Sequence, residues 1–424
     1  MRRLALTSCT LLLFAAALAA QSKRLWVLRA PGEAVEYDPA TFAEKQTVKV
    51  PAEAVESPRN FLINHPGQLL FAAPVSLPLA EGDLAAERRV WFWDGKTATT
   101  LSREVSRTTS TAGSNLAITE SASVPYLSTD GTHLYWFSNQ SRRLQRDGVD
   151  LSTKTTWLGW RTDLAGAGRE DVSSMALPEC SCPTGSCEES CPYGEVWVPD
   201  DGVGKFLLVT QFVAGKSQPV YKATSLYEEN GGKWTATLVD PPLRRVLDAA
   251  NAGAIFAGAI LEAIPDTACC GWENESDDRT VLHLQGKTLT VFDELAAYKN
   301  PDYDVSFYTE NGKMSPDLSS VALTIVATSR PNTPIQLAEQ GQANPEESLR
   351  IRKALLDLPA VEVKSAEDAA RRIEFLPHAA LVGWISSKEI LIIENRLLVV
   401  YNVANGSRRK SNIRVDDVAH VFLR

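Results

Sequence analysis

The stretch ALVGWISSKEILIIENRLLVVYNVANGSRRKSNI, Ala380 to Ile413, decides the fold class. Within it, Ile390 to Ile393 and Leu397 to Tyr401 are short runs of branched aliphatic and aromatic residues flanking the polar turn Glu394-Asn395-Arg396. Such runs suit a pleated, buried surface, and Asn tolerates the backbone of a tight turn, so the stretch reads as consecutive antiparallel hairpins.

The same theme recurs along the chain. Leu25-Trp26-Val27-Leu28 is followed by a turn at Pro31-Gly32, then Ala34 to Tyr37, a turn at Asp38-Pro39, and Val48 to Val50. Further copies are Val90 to Trp93 with Asp94-Gly95, His133 to Phe137 after Asp130-Gly131, and Phe206 to Gln211. Leu226 to Leu238 turns at Asn230-Gly231-Gly232, Val281 to Phe292 turns at Gly286, and Val321 to Val326 is a single strand. Units of this kind must stack to bury their apolar faces, which predicts an all-β protein built by radial repetition, a β-propeller. With roughly 40 to 60 residues per blade, the chain holds about seven blades, six to eight being allowed.

Three kinds of fragment carry a resemblance. STDGTHLYWFSN (128 to 139) and SPDLSSVAL (315 to 323) resemble the S-P-D-G element before an apolar strand in TolB-like and WD40-like propellers of exported bacterial proteins. YDPATF (37 to 42) resembles the first hairpin turn of such blades, and YNVANGSRR (401 to 409) their D-x-x-T-G turn, with Asn for the usual Asp and Thr. The resemblance implies a ring of blades and protein or ligand binding; it names no reaction.

Two regions depart from the pattern. Asn344-Pro345-Glu346-Glu347 reads as a helix start, with an N-cap, a proline at the first position and a glutamate at the third, running to about Asp357. Ser365-Ala366-Glu367-Asp368 repeats that chemistry before Ala369 to Arg372, so a helical insertion is predicted over 344 to 373. Leu243 to Ile264 fits either a helix or buried strands such as Ile260-Leu261.

Arg2 and Arg3, the apolar run Leu11 to Leu18 and the small residues Ala17 to Ala20 have the order of a cleavable export signal, residues 1 to 20. The expected mature chain, 21 to 424, is one domain in the periplasm or secreted medium, with no transmembrane segment, acting as a monomer. Removing Cys9 with the signal leaves six of the seven cysteines. Formal net charge is -9 and pI about 5.3, which argues against nucleic-acid binding, since phosphate contacts need a basic surface. The small cluster Arg408-Arg409-Lys410 is expected to decorate a surface turn.

Cys180, Cys182, Cys187 and Cys191 lie in a Pro, Gly and Ser-rich loop, 178 to 194, and Cys269-Cys270 form a vicinal pair. In an oxidising compartment an even set favours disulfides, and Cys269 and Cys270 are expected to pin the loop to the body. Four thiolates could instead surround zinc or copper(I), but the C-x-C-x4-C-x3-C spacing is not that of common zinc folds. Glu273, Glu275, Asp277 and Asp278 offer hard oxygens for calcium; without the frame of a recognised calcium loop, a solvated acidic turn is the commoner reading and no cofactor is expected.

Catalytic motifs are missing from the sequence: no G-x-S-x-G elbow, phosphate loop or paired-histidine spacing occurs. His65, His133, His283, His378 and His420 are dispersed and read as strand or turn residues. Trp91, Trp93, Trp136, Trp157 and Trp160 could line a sugar or peptide groove, though blade packing is the commoner use of such rings. The expectation is therefore a non-enzymatic propeller binding a protein, peptide or glycan at one mouth of the ring. The competing class is a metal-assisted hydrolase or lyase in the channel, using carboxylates such as Asp277, Asp278 and Asp304.

Overall fold

A computed structural model describes residues 23–52, 55, 60–63, 69–76, 85–93, 96, 98–110, 116–121, 126–127, 132–146, 149–176, 180–181, 192–197, 206–214, 219–230, 233–240, 242–250, 259–264, 279–284, 286–293, 305–329, 346, 349, 353, 355–415 and 420–423. In chain order, β1 (Leu25–Arg29), β2 (Glu33–Tyr37) and β3 (Glu44–Lys49) form a meander. Next come β4 (Asn60–Ile63), β5 (Leu69–Ser76), β6 (Ala85–Trp93) and β7 (Ala98–Ser110), then β8 (Leu116–Ser121), β9 (Tyr126–Leu127), β10 (His133–Arg146), β11 (Val149–Asp163), β12 (Glu170–Ala176) and β13 (Cys180–Ser181). These ten strands share one sheet whose two meanders, β4 to β7 and β8 to β12, meet only where Thr108 to Ser110 pair with β8.

Four four-stranded antiparallel meanders follow. They are β14 (Pro192–Trp197), β15 (Phe206–Ala214), β16 (Pro219–Asn230), β17 (Lys233–Val239); then β18 (Arg245–Ala250), β19 (Ala259–Ile264), β20 (Arg279–Leu284), β21 (Lys287–Asp293). The next two are β22 (Val305–Met314), β23 (Ser320–Ser329), β24 (Ala360–Ser365), β25 (Arg372–Pro377), and β26 (Ala379–Ser386), β27 (Glu389–Glu394), β28 (Leu397–Asn402), β29 (Arg408–Arg414). The last strand, β30 (His420–Leu423), returns to pair antiparallel with β1, Leu25 opposite Leu423 and Leu28 opposite His420.

That pairing makes the first sheet β3-β2-β1-β30 from both ends of the described chain and closes the ring. Closure covers an edge of β1 that would otherwise offer unpaired backbone groups. The architecture is a β-propeller, as the hairpin repeats predict.

Successive innermost strands run side by side in one direction. Arg245 Nη2 donates to Glu310 O (3.0 Å) and Met314 N to Asp248 Oδ2 (2.8 Å), so β18 and β22 advance together. Asn311 Nδ2 donates to Leu381 O (3.1 Å) and Trp384 Nε1 to Lys313 O (2.9 Å), which repeats the relation between β22 and β26. An even number of antiparallel strands per meander keeps this direction around the ring. First and third strands therefore start on one face, here the leading face, and second and fourth strands start on the other, the trailing face.

Alternate side chains of one strand pack against the two neighbouring sheets. Leu25 and Val27 join Leu391, Leu398, Val400 and Leu423 on one side of β1, and Trp26 and Leu28 join Leu69, Trp91 and Trp93 on the other. Ile390 and Ile392 of β27 likewise pack with Val361 and Val363, while Leu391 faces β1. This double burial is why the sequence shows continuous apolar runs where a half-solvated sheet would show alternation. Gly312 of β22 marks a tight joint between sheets. A methyl group there would lie 2.7 Å from Leu261 Cδ2 and 3.1 Å from Leu247 Cδ1, so its missing side chain is what admits those two leucines.

The turns at Asp38 and Asn402 share one hydrogen-bond pattern. Asp38 Oδ1 accepts from Ala40 N (2.9 Å) and Thr41 N (3.0 Å), and Asn402 Oδ1 accepts from Ala404 N (3.0 Å) and Asn405 N (3.2 Å). In each turn the fifth residue donates back to the first residue's carbonyl at 2.8 Å and has positive φ, 59° at Phe42 and 73° at Gly406. In SPDLSS, Asp317 Oδ1 accepts from Ser315 Oγ (2.7 Å) and Ser319 N (3.1 Å), and Leu318 takes the positive φ of the usual glycine. Against the partial burial that acts the other way, Lys45 (3.3 Å) together with the turn's N–H groups holds the Asp38 carboxyl below the usual carboxylate value, and the serine hydroxyls and Ser319 N do the same for Asp317.

Residues 346, 349, 353 and 355–357 are helical, in line with the predicted helix start. The second predicted helical segment is instead strand and turn. Ala360–Ser365 and Arg372–Pro377 are β24 and β25. Between them Ser365 Oγ caps Glu367 N (3.2 Å) and Asp368 N (3.3 Å), and Arg371 N closes on Asp368 O (2.9 Å). Capping chemistry was present; a hairpin used it, because Val361 and Val363 are buried in the sheet. Within Leu243 to Ile264 the described residues include β18 and β19, and 251–258 lie outside the described residues. Arg408, Arg409 and Lys410 lie on the outer strand β29 and not in a turn, since Asn402 N bonds Ser407 O and ends the turn there. Their exposed charges guard a sheet edge, with Arg408 on Glu394 (3.3 Å) and Arg409 on Glu389 (3.8 Å).

Candidate functional site

The two faces of the ring differ. The described trailing-face turns are short, and their polar groups are met internally by Asp38, Asp163, Asp317, Asp368 and Asn402. Leading-face connections include the long ones: Ala176 to Pro192, Ile264 to Arg279, and Ser329 to Ala360. These three hold the cysteine loop, the vicinal pair with the acidic run, and the helical insertion, so the features singled out in the sequence are anchored on one face.

Of the candidate residues, Cys180 is in β13, where it pairs with Thr153 of β11 at the leading-face start of that strand. Cys182, Cys187, Cys191, Cys269, Cys270, Glu273, Glu275, Asp277, Asp278 and Asp304 lie outside the described residues. Among the described residues no three His, Cys, Asp or Glu side chains group as a metal site. No described helix is long and apolar enough to cross a membrane.

The aromatic candidates serve structure where their side chains are described. Trp91 and Trp93 are core. Trp136 and Trp160 stack across β10 and β11 with centroids 6.4 Å apart, Arg169 lies 4.2 Å over the Trp160 ring, and Trp136 Nε1 donates to Thr162. His283 Nε2 sits 2.9 Å from the buried Glu262, His133 contacts Thr132, and His378 occupies a turn at φ 55°.

Two cavities lie at the leading-face ends of the described strands. The larger, about 320 Å³, sits among the innermost strands and is lined by Asn311, Leu381, Val382, Ile393, Val415, His420 and Val421. Burial pushes the His420 imidazole below its usual pKa.

The smaller cavity, about 140 Å³, lies between the β18–β21 and β22–β25 sheets. Its walls are Arg245, at the start of β18, Ala263 and Ile264 at the end of β19, Arg279 and Thr280 at the start of β20, Phe292 near the end of β21, and Tyr308 and Thr309 of β22. The approach to Arg245 is fixed at two points. Thr224 Oγ1, fully buried, accepts from Leu243 N (2.9 Å), and Glu262 Oε1 accepts from Arg244 N (2.5 Å). Arg245 then crosses to Glu310 O, and a hydroxyl bridge from Thr280 Oγ1 to Thr309 Oγ1 (2.8 Å) ties the sheets together beneath it. Sequence reading missed these residues. Arg245 and Arg279 share no motif, and only strand register brings them to one rim.

No family model matches the chain, and no curated protein matches it. Among solved structures it is similar to Porphyromonas gingivalis dipeptidyl peptidase 4, at 11% identity and TM-score 0.43, covering 98% of this chain and 62% of that one. It is also similar to the GH74 xyloglucanase of Xanthomonas campestris, at 12% identity and TM-score 0.42, covering 92% and 51%. A third is the WD40 domain of SCAP from fission yeast, at 9% identity and TM-score 0.31, covering 92% and 87%. The chain spans less than two thirds of the peptidase and of the xyloglucanase.

Proposed function

We propose that this protein is an exported, TolB-like binding propeller of seven blades, without catalytic activity, that engages a protein or peptide through its leading face. The blade number follows from reading β4 to β7 and β8 to β12 as two blades joined edge to edge. One observation carries the functional reading: every long connection named above departs from the leading face, whereas the described trailing turns are closed on themselves. Binding surfaces concentrate on loops held by a rigid scaffold, and the three longest connections all belong to the leading face.

The test is a peptide and glycan array probed with the purified protein and two charge reversals. Lys353→Glu lies in the helical part of the Ser329 to Ala360 connection, and Lys388→Glu in a trailing-face turn. The expected result is a peptide signal lost in the first and kept in the second. The reverse pattern, or turnover in a hydrolase screen with stoichiometric bound metal, would overturn the reading.

A further inference from the structure

We infer that the 140 Å³ cavity between the β18–β21 and β22–β25 sheets receives the C-terminal residue of a peptide. Its carboxylate would meet Arg245 and Arg279, and its side chain would lie against Phe292 and Ile264. This deepens the leading-face reading and rests on it.

Charge is the first argument. The lining includes two guanidiniums and no carboxylate. Asp293 stands opposite Arg279 in the β20–β21 ladder. Arg245 is exposed and takes part in no ion pair among the described residues; its one described hydrogen bond goes to a backbone carbonyl. A guanidinium has five donors in a planar fork matched to a carboxylate, so a rim with two of them selects a planar anion. The anchor of Arg245 on Glu310 O fixes the direction of its fork in advance, which lowers the entropy cost of binding.

Shape is the second argument. A volume of about 140 Å³ is that of four to five waters at about 30 Å³ each, enough for one small aliphatic residue and its carboxylate. The floor is apolar, formed by buried Phe292 with Ala263 and Ile264, and the two threonine hydroxyls are engaged with each other. That favours an aliphatic side chain over a sugar ring, whose hydroxyls would lose their water without replacement. Backbone-terminal carboxylates are recurrent recognition elements in peptide-binding proteins.

Calorimetry or NMR titration of the full chain at low ionic strength tests the assignment, with N-acetyl-valine as probe and N-acetyl-valinamide and glucuronate as controls. The acid should bind at least tenfold more tightly than either control, and Arg245→Gln and Arg279→Gln should each weaken it about tenfold. Because Arg279 enters the fold at a strand start, Arg245→Gln at the exposed rim is the deciding variant if the other fails to fold. Equal binding of acid and amide, glucuronate binding as tightly as the acid, or no binding of the acid would overturn it. A peptide signal that survives Arg245→Gln yet is lost in Lys353→Glu refutes the pocket and leaves the leading-face reading intact.

Discussion

The closing strand can be interrogated through one pair of residues, Leu423 of β30 and Gly383 of β26. Leu423 is 6% exposed and packs with Leu25, Val27, Leu391, Leu398 and Val400, so it joins its own sheet to the β26–β29 sheet. Leu423→Ala removes three carbons from a buried site and should cost about 3 kcal/mol, within the usual range for such truncations. Gly383 is held open by the same side chain: an added methyl would lie 3.3 Å from Leu423 Cδ2, closer than ordinary contact. Gly383→Ala alone stiffens the unfolded chain, worth about 0.5 kcal/mol, but crowds Leu423, costing about 1 kcal/mol; the net effect is a small loss. In the Leu423→Ala background the crowding is gone and the new methyl fills part of the cavity, recovering about 1 kcal/mol. The two substitutions should therefore couple by about 1 to 2 kcal/mol in the stabilising direction. Urea unfolding followed by circular dichroism and tryptophan fluorescence reads all four corners of the cycle. A loss below about 1 kcal/mol for Leu423→Ala, or strictly additive effects, would refute the claim that β30 closes the ring against β26.

Three further outcomes follow from single groups. Asp38→Ala and Asn402→Ala each remove an acceptor for two backbone N–H groups in equivalent turns and should each cost about 1 kcal/mol in the same urea assay, with Asp38→Asn losing much less. Because the Asp38 carboxyl is held below its unfolded value, its contribution is present above that value and fades as pH falls through the folded one. His420 has the opposite chemistry and the same sign: its folded pKa lies below the unfolded 6.5, so stability is full above 6.5 and drains as pH falls toward the lower folded value, and His420→Leu should flatten a melting-temperature profile between pH 7 and 5. Tyr401, buried and donating to Glu374, has its phenol pushed up to about 12 by burial first and the carboxylate second, so its contribution is present below pH 10 and lost as pH rises through 12; Tyr401→Phe should cost about 1 to 2 kcal/mol at pH 7 and delete the latest tyrosinate transition in ultraviolet titration.

Strands were legible wherever both faces of the sheet are buried, because Leu25 to Leu28, Ile390 to Ile393 and Leu397 to Tyr401 have no competing reading once a turn residue bounds them. Turns were legible where an Asx or Ser side chain does the work locally, as at Asp38, Asp317 and Asn402. Ser365 shows the limit of that logic, since the same capping oxygen serves a helix start or a hairpin and only the burial of Val361 and Val363 decides between them. The closing pair β1–β30 was not legible: Val421 to Leu423 is too short a run to announce a strand, and its partner lies at the other end of the chain.

The site was hidden for a related reason. Arg245, Arg279 and Thr309 meet because β18, β20 and β22 begin or pass at one level of two adjacent sheets, a relation set by register and by inter-sheet contacts such as Gly312 against Leu261. Sequence patterns record which residues enter a strand, and only weakly which strand ends coincide. The acidic and cysteine-rich segments drew attention by composition, yet their common property is position: each hangs from the leading face, and one of them begins and ends at the rim of the arginine cavity, at Ile264 and Arg279. Composition therefore points to the connection, and register points to the described strand ends that bound it.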